Sequence, residues 1–286
     1  MPSEGVAMII FLRFVVIAIG SGASAAVLAD DDNKATNPYL VKDNALFFGA
    51  FVQEGEGNVT AQRGSFDART LRLDDLGSDK EYTSWLLEFR HRFNDRWAAS
   101  VGAYRFNTGS QFTVTDDFNF EGREFTAGAS VDLDFTLDTY IADVMYTLRR
   151  SDHFEWQVGG GLHLFNASLS LKGALALEGE NVGVAETRSK ASLTAPVPNL
   201  RTTGFYALND KWSVFGTLGW LSANVDQYSG DFLYGNVRLQ YQITQAFGLS
   251  AGFQHVSADI EETVDRGFNR FDMKFNGFTA AFSYLF

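Results

Sequence analysis

Across its 286 residues the chain has no cysteine, only 4 prolines and 4 histidines, and fewer basic than acidic side chains (23 against 35). Each shortage excludes a class of chemistry. Without thiols there is no disulfide framework, no thiolate nucleophile and no cysteine-ligated zinc. His91, His153, His163 and His255 are scattered with no HExxH or comparable ligand spacing, so no metal or cofactor is expected. A net charge of −12 argues against nucleic acid, which requires a basic surface. After residue 29 no run of about 18 apolar residues occurs, so the remainder holds no transmembrane helix.

What the chain does have is aromatic residues and glycine: 15% Phe, Trp and Tyr, with 27 Phe and 27 Gly. They fall in stretches of period two, the pattern of strands rather than helices. From Gly277 to Phe286, Phe278, Ala280, Phe282, Tyr284 and Phe286 share one parity, and Gly277, Thr279, Ala281, Ser283 and Leu285 the other. In 82–93, Trp85, Leu87, Phe89 and Phe93 oppose Ser84, Glu88, Arg90 and Arg92. The same division marks 97–106, 154–165, 231–243 and 247–254, and more weakly 45–54, 133–148, 198–208 and 212–226. Such strands place lipid on one side and a crowded, polar interior on the other, which also explains a mean hydropathy of only −0.10. The expected fold is all-β: one transmembrane antiparallel barrel of about ten strands over 45–286. Twelve is the alternative, if 107–132 and 166–190 contribute two more instead of rising above the bilayer as extended hairpins.

The connections alternate in length and so give orientation. Turn-forming residues at 94–96, 149–152, 209–211 and 244–246 sit between girdle residues such as Phe93 and Trp97, or Ile243 and Phe247. They fall at the end where Phe286 lies, which is the periplasmic rim of a barrel of this kind. The other connections, 55–81, 107–132, 166–197 and 255–272, are long and acidic and read as surface loops, with 227–231 a short exception.

The last strand resembles the closing strand of bacterial outer-membrane β-barrels, in which a C-terminal aromatic residue is read by the assembly machinery. The whole tail 247–286 looks like that of small outer-membrane barrel proteins of proteobacteria. The resemblance implies a Gram-negative cell envelope and export through the periplasm. It assigns the assembly signal to Phe282, Tyr284 and Phe286, with periplasmic chaperones and the barrel-assembly machinery as partners, and lipid and lipopolysaccharide around a monomer. Residues 1–29 fit a secretory signal, with Arg13 before the apolar Phe14–Ile19 and cleavage after Ala25 or Ala29. Met8 is an alternative start. Residues 30–44 then form a short periplasmic segment.

Two sets of residues carry candidate functions. Glu88, Arg90, Arg92, Asp143, Glu155, His163, Arg201 and Arg238 take the inward parity. In a barrel of this girth they form either a salt-bridged plug or the charged constriction of a porin-like, small-solute pore. The plug, in a structural or surface barrel without enzymatic activity, is the main expectation. His255 and Ser257, two apart on an outward parity, resemble the His-x-Ser motif of lipid A 3-O-deacylases. By that resemblance His255 is the base and Ser257 the nucleophile, with the orienting acid from Glu261, Glu262 or Asp265. Ala258 stands where that family usually has Asn. The Asp–His pair of omptin-type proteases has its counterpart only in Asp152-His153, at the periplasmic end. Asp74, Asp75, Asp79 and Glu81 lack the ordered spacing of a calcium loop.

Overall fold

A computed structural model describes residues 37–64, 68–72, 81–115, 117–120, 123–177 and 183–286. The expected leader with its cleavage points, and Asp74, Asp75 and Asp79, lie outside them. One short helix, α1 (Pro38–Val41), precedes the strands. These are β1 (Asn44–Arg63), β2 (Arg69–Arg72), β3 (Glu81–Arg92), β4 (Trp97–Thr113), β5 (Phe118–Phe120), β6 (Arg123–Phe125) and β7 (Ser130–Arg150). They continue with β8 (Phe154–Leu177), β9 (Gly183–Ala207), β10 (Trp212–Val225), β11 (Tyr228–Gln242), β12 (Phe247–Val264) and β13 (Gly267–Leu285).

Ten of these, β1, β3, β4 and β7 to β13, make one antiparallel ring, closed by β1 against β13 from Ala45↔Leu285 to Arg63↔Gly267. Closure leaves no backbone edge facing lipid, the only arrangement that lets β-structure cross a bilayer. β2 pairs with the upper part of β1, and β5 and β6 form a separate small hairpin, so neither adds a crossing. Ten strands, not twelve, is the observed number among the described residues.

The outer surface shows where the membrane lies. Phe48, Val101, Tyr140, Val144, Leu162, Trp220 and Phe278 all point outward, Leu200 and Phe278 with 67% and 72% of their surface exposed. Water would not tolerate an apolar belt of that extent. Along each long strand the polarity then inverts. In β8 the outward residues Val158, Leu162 and Leu164 give way to Asn166, Ser168, Ser170 and Lys172, while the buried ones pass from Gln157 and His163 to Phe165, Ala167, Leu169 and Leu171. In β7, Leu148, Val144 and Tyr140 give way outside to Asp138, Asp134 and Asp132. Inside, Thr147, Asp143 and Thr139 give way to Leu137, Phe135, Leu133 and Val131. In β13 the outward switch falls between Phe278 and Asn276. Below the switch the barrel is apolar outside and polar inside; above it the reverse holds, as in a water-soluble β-protein.

This corrects the expectation of surface loops over 55–81 and 255–272, whereas the extended hairpins expected at 107–132 and 166–190 are found. Most of 55–81, 107–132, 166–197 and 255–272 that is described is strand, continuing the barrel upward, and β12 turns into β13 within the two residues 265–266. The ring opens there at two seams. β3 pairs with β4 only from Leu86↔Tyr104 to Arg92↔Ala98, and β9 with β10 only from Leu200↔Trp220 to Ser213↔Ala207. Above those rows the wall is two sheets, β4–β7–β8–β9 and β10–β11–β12–β13–β1–β2, joined face to face over one apolar core. Pro196 and Pro198 lie in β9 where it has lost its β10 neighbour, a place where a missing N–H is tolerated.

Candidate functional site: the filled lumen

The interior is occupied at three levels. At the rim where Phe286 lies, α1 tucks into the barrel. Asn37 starts it, its Oδ1 accepting from the Tyr39 amide at 3.1 Å, with Pro38 at the first helical position. The Tyr39 ring stacks on Phe205 with centroids 4.4 Å apart. Tyr39 and Leu40 complete a small buried cluster with Ala45, Phe47, Phe205, Ala207, Phe215 and Leu285.

Three arginines grip the backbone of this segment. Arg90 Nη2 donates to Tyr39 O (3.2 Å) and Lys42 O (3.1 Å), and Arg92 Nη1 to Leu40 O (2.9 Å). Arg150 Nη2 donates to Leu40 O as well. Glu155, 2% exposed, holds all three: Arg92 Nη2 lies 2.8 Å from its Oε1 and 2.9 Å from its Oε2, Arg90 Nη1 3.7 Å and Arg150 Nε 3.8 Å away. The carboxylate sits among three guanidiniums that also donate to the backbone of residues 39–42, which makes Glu155 the hub of the plug.

The second level is a pair of ion bridges inside the membrane-spanning part. Arg238 Nη1 donates to Glu88 Oε2 at 3.2 Å, its guanidinium between Phe47 and Phe215 at 4.9 and 4.8 Å from the ring centroids. Arg201 Nη1 donates to Asp143 Oδ2, which also accepts from Ser100 Oγ at 3.1 Å. Gly161 makes room for this pair, because a Cβ there would run into Asp143 Oδ1. His163 marks the top of the layer: fully buried, with Nδ1 2.7 Å from Asn199 Nδ2 and its ring 4.7 Å from Phe232.

The third level is the core between the two upper sheets. It joins Phe106, Phe135, Phe165, Leu169, Leu171 and Leu193 of one sheet to Val59, Phe232, Val256, Ile260, Phe271 and Phe275 of the other. The small hairpin adds Phe120 and Phe125, and Ser189 Oγ donates to Phe120 O at 2.9 Å. Asn269 Nδ2 and the Tyr228 hydroxyl donate to Ser192 O (3.2 Å) and Thr194 O (3.0 Å), so side chains cover the edge that β9 loses at its seam.

The charges singled out from the alternation (Glu88, Arg90, Arg92, Asp143, Glu155, His163, Arg201 and Arg238) therefore all face inward, and the acids pair with the arginines. Arg150 and the α1 segment were not foreseen. The Asn37-Pro38 dipeptide is a helix-start signal that would have indicated the plug. The apolar core was not foreseen either, although the change of parity in 130–148 and 154–173 announces it.

His255 and Ser257 do point outward, just above the lipid-facing Phe253. His255 Nδ1 lies 2.7 Å from Asn276 Oδ1 on β13, and Ser257 stands opposite Lys274. Glu261 is six residues further along β12, about 20 Å in extended chain. Glu262 accepts from Gln227 and the Tyr228 hydroxyl (3.2 and 3.1 Å), and Asp265 is in the turn beyond. The pair and its expected acids are not brought together. Asp152 and His153 lie in the short turn between β7 and β8. Of the terminal aromatics, Tyr284 stacks on Phe247 (5.1 Å) and on Phe286 (5.0 Å) at the β12–β13 rim.

No family model matches the chain, and no curated protein does. Among solved structures, the outer-membrane protease OmpT from Escherichia coli is similar at a TM-score of 0.52 and 9% identity, covering 85% of this chain and 97% of that one. The attachment invasion locus protein Ail of Yersinia pestis gives 0.32 and 11%, covering 86% and 99%. The Pseudomonas putida toluene transporter TodX gives 0.35 and 10%, covering 90% and 93%. The likeness to OmpT shows the fold, that of bacterial outer-membrane β-barrels; the other two are too distant in shape to carry more.

Proposed function

We propose that this chain is an integral protein of the bacterial outer membrane, a monomeric surface barrel that carries a rigid two-sheet projection above the outer leaflet and does not pass solute. One observation carries the reading: the lumen is filled at every height, by α1, by paired charges and by an apolar core. A diffusion pore needs a continuous polar path, and the core between the upper sheets removes it where the channel would have to open. Extraction of a buried cluster of that size to admit water would cost far more than the 5–15 kcal/mol by which domains are stable.

An enzymatic role has less to support it. Acyl or peptide hydrolysis at the cell surface requires a nucleophile, a base and a donor site converging on one cleft. Among the described residues the extracellular inner faces carry no histidine, and the outward His255 has an amide, Asn276, as its hydrogen-bonding neighbour. The lipid belt, the C-terminal Phe282, Tyr284 and Phe286, and the acidic outer face fit lipid, lipopolysaccharide and the assembly machinery as partners. Single-channel recording of the purified barrel in planar bilayers tests the proposal.

A further inference from the structure

Four buried polar atoms of the middle level that have no hydrogen-bond partner belong to residues around one cavity. Asp143 uses Oδ2 for Arg201 and Ser100, leaving Oδ1 without a partner. Arg201 and Arg238 give Nη1 to Asp143 and Glu88, and each leaves Nε unpartnered. Asn236 donates Nδ2 to Phe253 O at 3.4 Å and leaves Oδ1. Asp143, Asn236 and Arg238 are 3%, 3% and 4% exposed, and the Arg201 side chain 8%. All four residues line one cavity of about 20 Å³, walled besides by Glu88, Tyr104, Tyr234 and Gln254.

We propose that this cavity is a binding site for one water molecule, which joins the Asp143–Arg201 and Glu88–Arg238 bridges into a single network. Size limits the guest first: a cavity needs roughly 10–15 Å³ to hold a water, and about 20 Å³ admits only a very small guest. The donor and acceptor balance decides among guests of that size. A monatomic anion would require donors only and a cation acceptors only. Two N–H donors with two oxygen acceptors are the hydrogen-bonding complement of water, which accepts two bonds and donates two. Burying four such atoms unmet would also be costly, since each forfeits its hydration. The site lies between α1 below and the apolar core above, and its water is a structural part of the barrel.

A crystal structure of the detergent-purified, full-length mature chain tests this directly, with a second data set from crystals grown in bromide. The expected result is one density feature within hydrogen-bonding distance of at least three of the four atoms and no anomalous bromide peak. A bromide peak, or no density, overturns the proposal. Thermal unfolding of Asn236→Leu gives a second reading: leucine is close in shape and lacks both the Oδ1 acceptor and the Nδ2 donor that reaches Phe253 O at 3.4 Å. If the water is present, the change breaks its coordination and the midpoint falls by roughly 2–4 °C. If Oδ1 is simply unmet, leucine relieves it, and an unchanged or raised midpoint rejects the site.

Discussion

Phe106 of β4 and Phe275 of β13 meet with ring centroids 5.0 Å apart, although β1 and β3 lie between their strands in the ring. Such a contact exists only because the barrel flattens above the membrane. Two walls that enclose a lumen at mid-membrane touch one another here, and Phe165 and Phe232 make the corresponding contact at 5.6 Å on another part of the core. The projection is therefore held by the same packing that stabilises soluble sandwiches.

Truncation of that core should be costly. Phe275→Ala and Leu169→Ala are expected to lower unfolding stability by about 3–5 and 2–5 kcal/mol, the usual range for such cavities. Leu162→Ala, on the lipid face, should change it much less. Urea titration in micelles, followed by tryptophan fluorescence, makes the comparison. Equal effects at all three positions would mean that the upper sheets are not packed as described.

Glu155 should matter more than any surface acid. Glu155→Gln leaves the buried Arg90 and Arg92 without their carboxylate, while Arg150 keeps Asp95 at 2.8 Å; loss of one partner of a buried bridge typically costs about 3–5 kcal/mol. Asp259→Asn removes the partner of Arg270 on the outer face, where exposed pairs contribute about 0–1 kcal/mol. Heat-modifiability on gels ranks the two variants. The ranking fails if Asp259→Asn melts first.

The height of the membrane can be read with single cysteines, since the chain has none of its own. Cysteine at 166, 168, 170 or 172 of β8 should react with a membrane-impermeant maleimide on intact cells, and cysteine at 158, 162 or 164 should not. Reaction at 162 or protection at 170 would displace the boundary from the Leu164/Asn166 switch.

The outward His–Ser pair yields a fourth expectation. Ser257→Ala should leave the acylation pattern of lipid A in the producing cell unchanged by mass spectrometry. An acyl chain removed by the wild type and retained in the mutant would make Ser257 a nucleophile and the barrel a hydrolase.

Much of this architecture is legible in the residues. Period-two alternation with aromatics at strand ends is enough to place the ring, its four short turns and the closure of β1 on the strand ending at Phe286. The inward charges also followed from parity, because Glu88, Arg90 and Arg92 alternate with Trp85, Leu87 and Phe89. What escaped is the part where parity keeps its period and reverses its meaning. Asp132 falls in a stretch that reads as an acidic loop, and Asp134 and Asp138 in a weakly marked strand, until all three are seen to alternate with Val131, Leu133 and Leu137. The plug escaped for another reason: a four-residue helix has no periodicity to detect, and its grip on Arg90, Arg92 and Arg150 is made by backbone carbonyls, which carry no sequence signal.

Conductance tests the central claim most directly. Purified, folded barrel reconstituted into planar bilayers should give no steady channels, and deletion of residues 37–43, which removes α1, should not create them, since the core between the upper sheets remains. Large, stable openings from the wild-type chain would contradict the account, and with it the proposal that this barrel is a scaffold and not a pore.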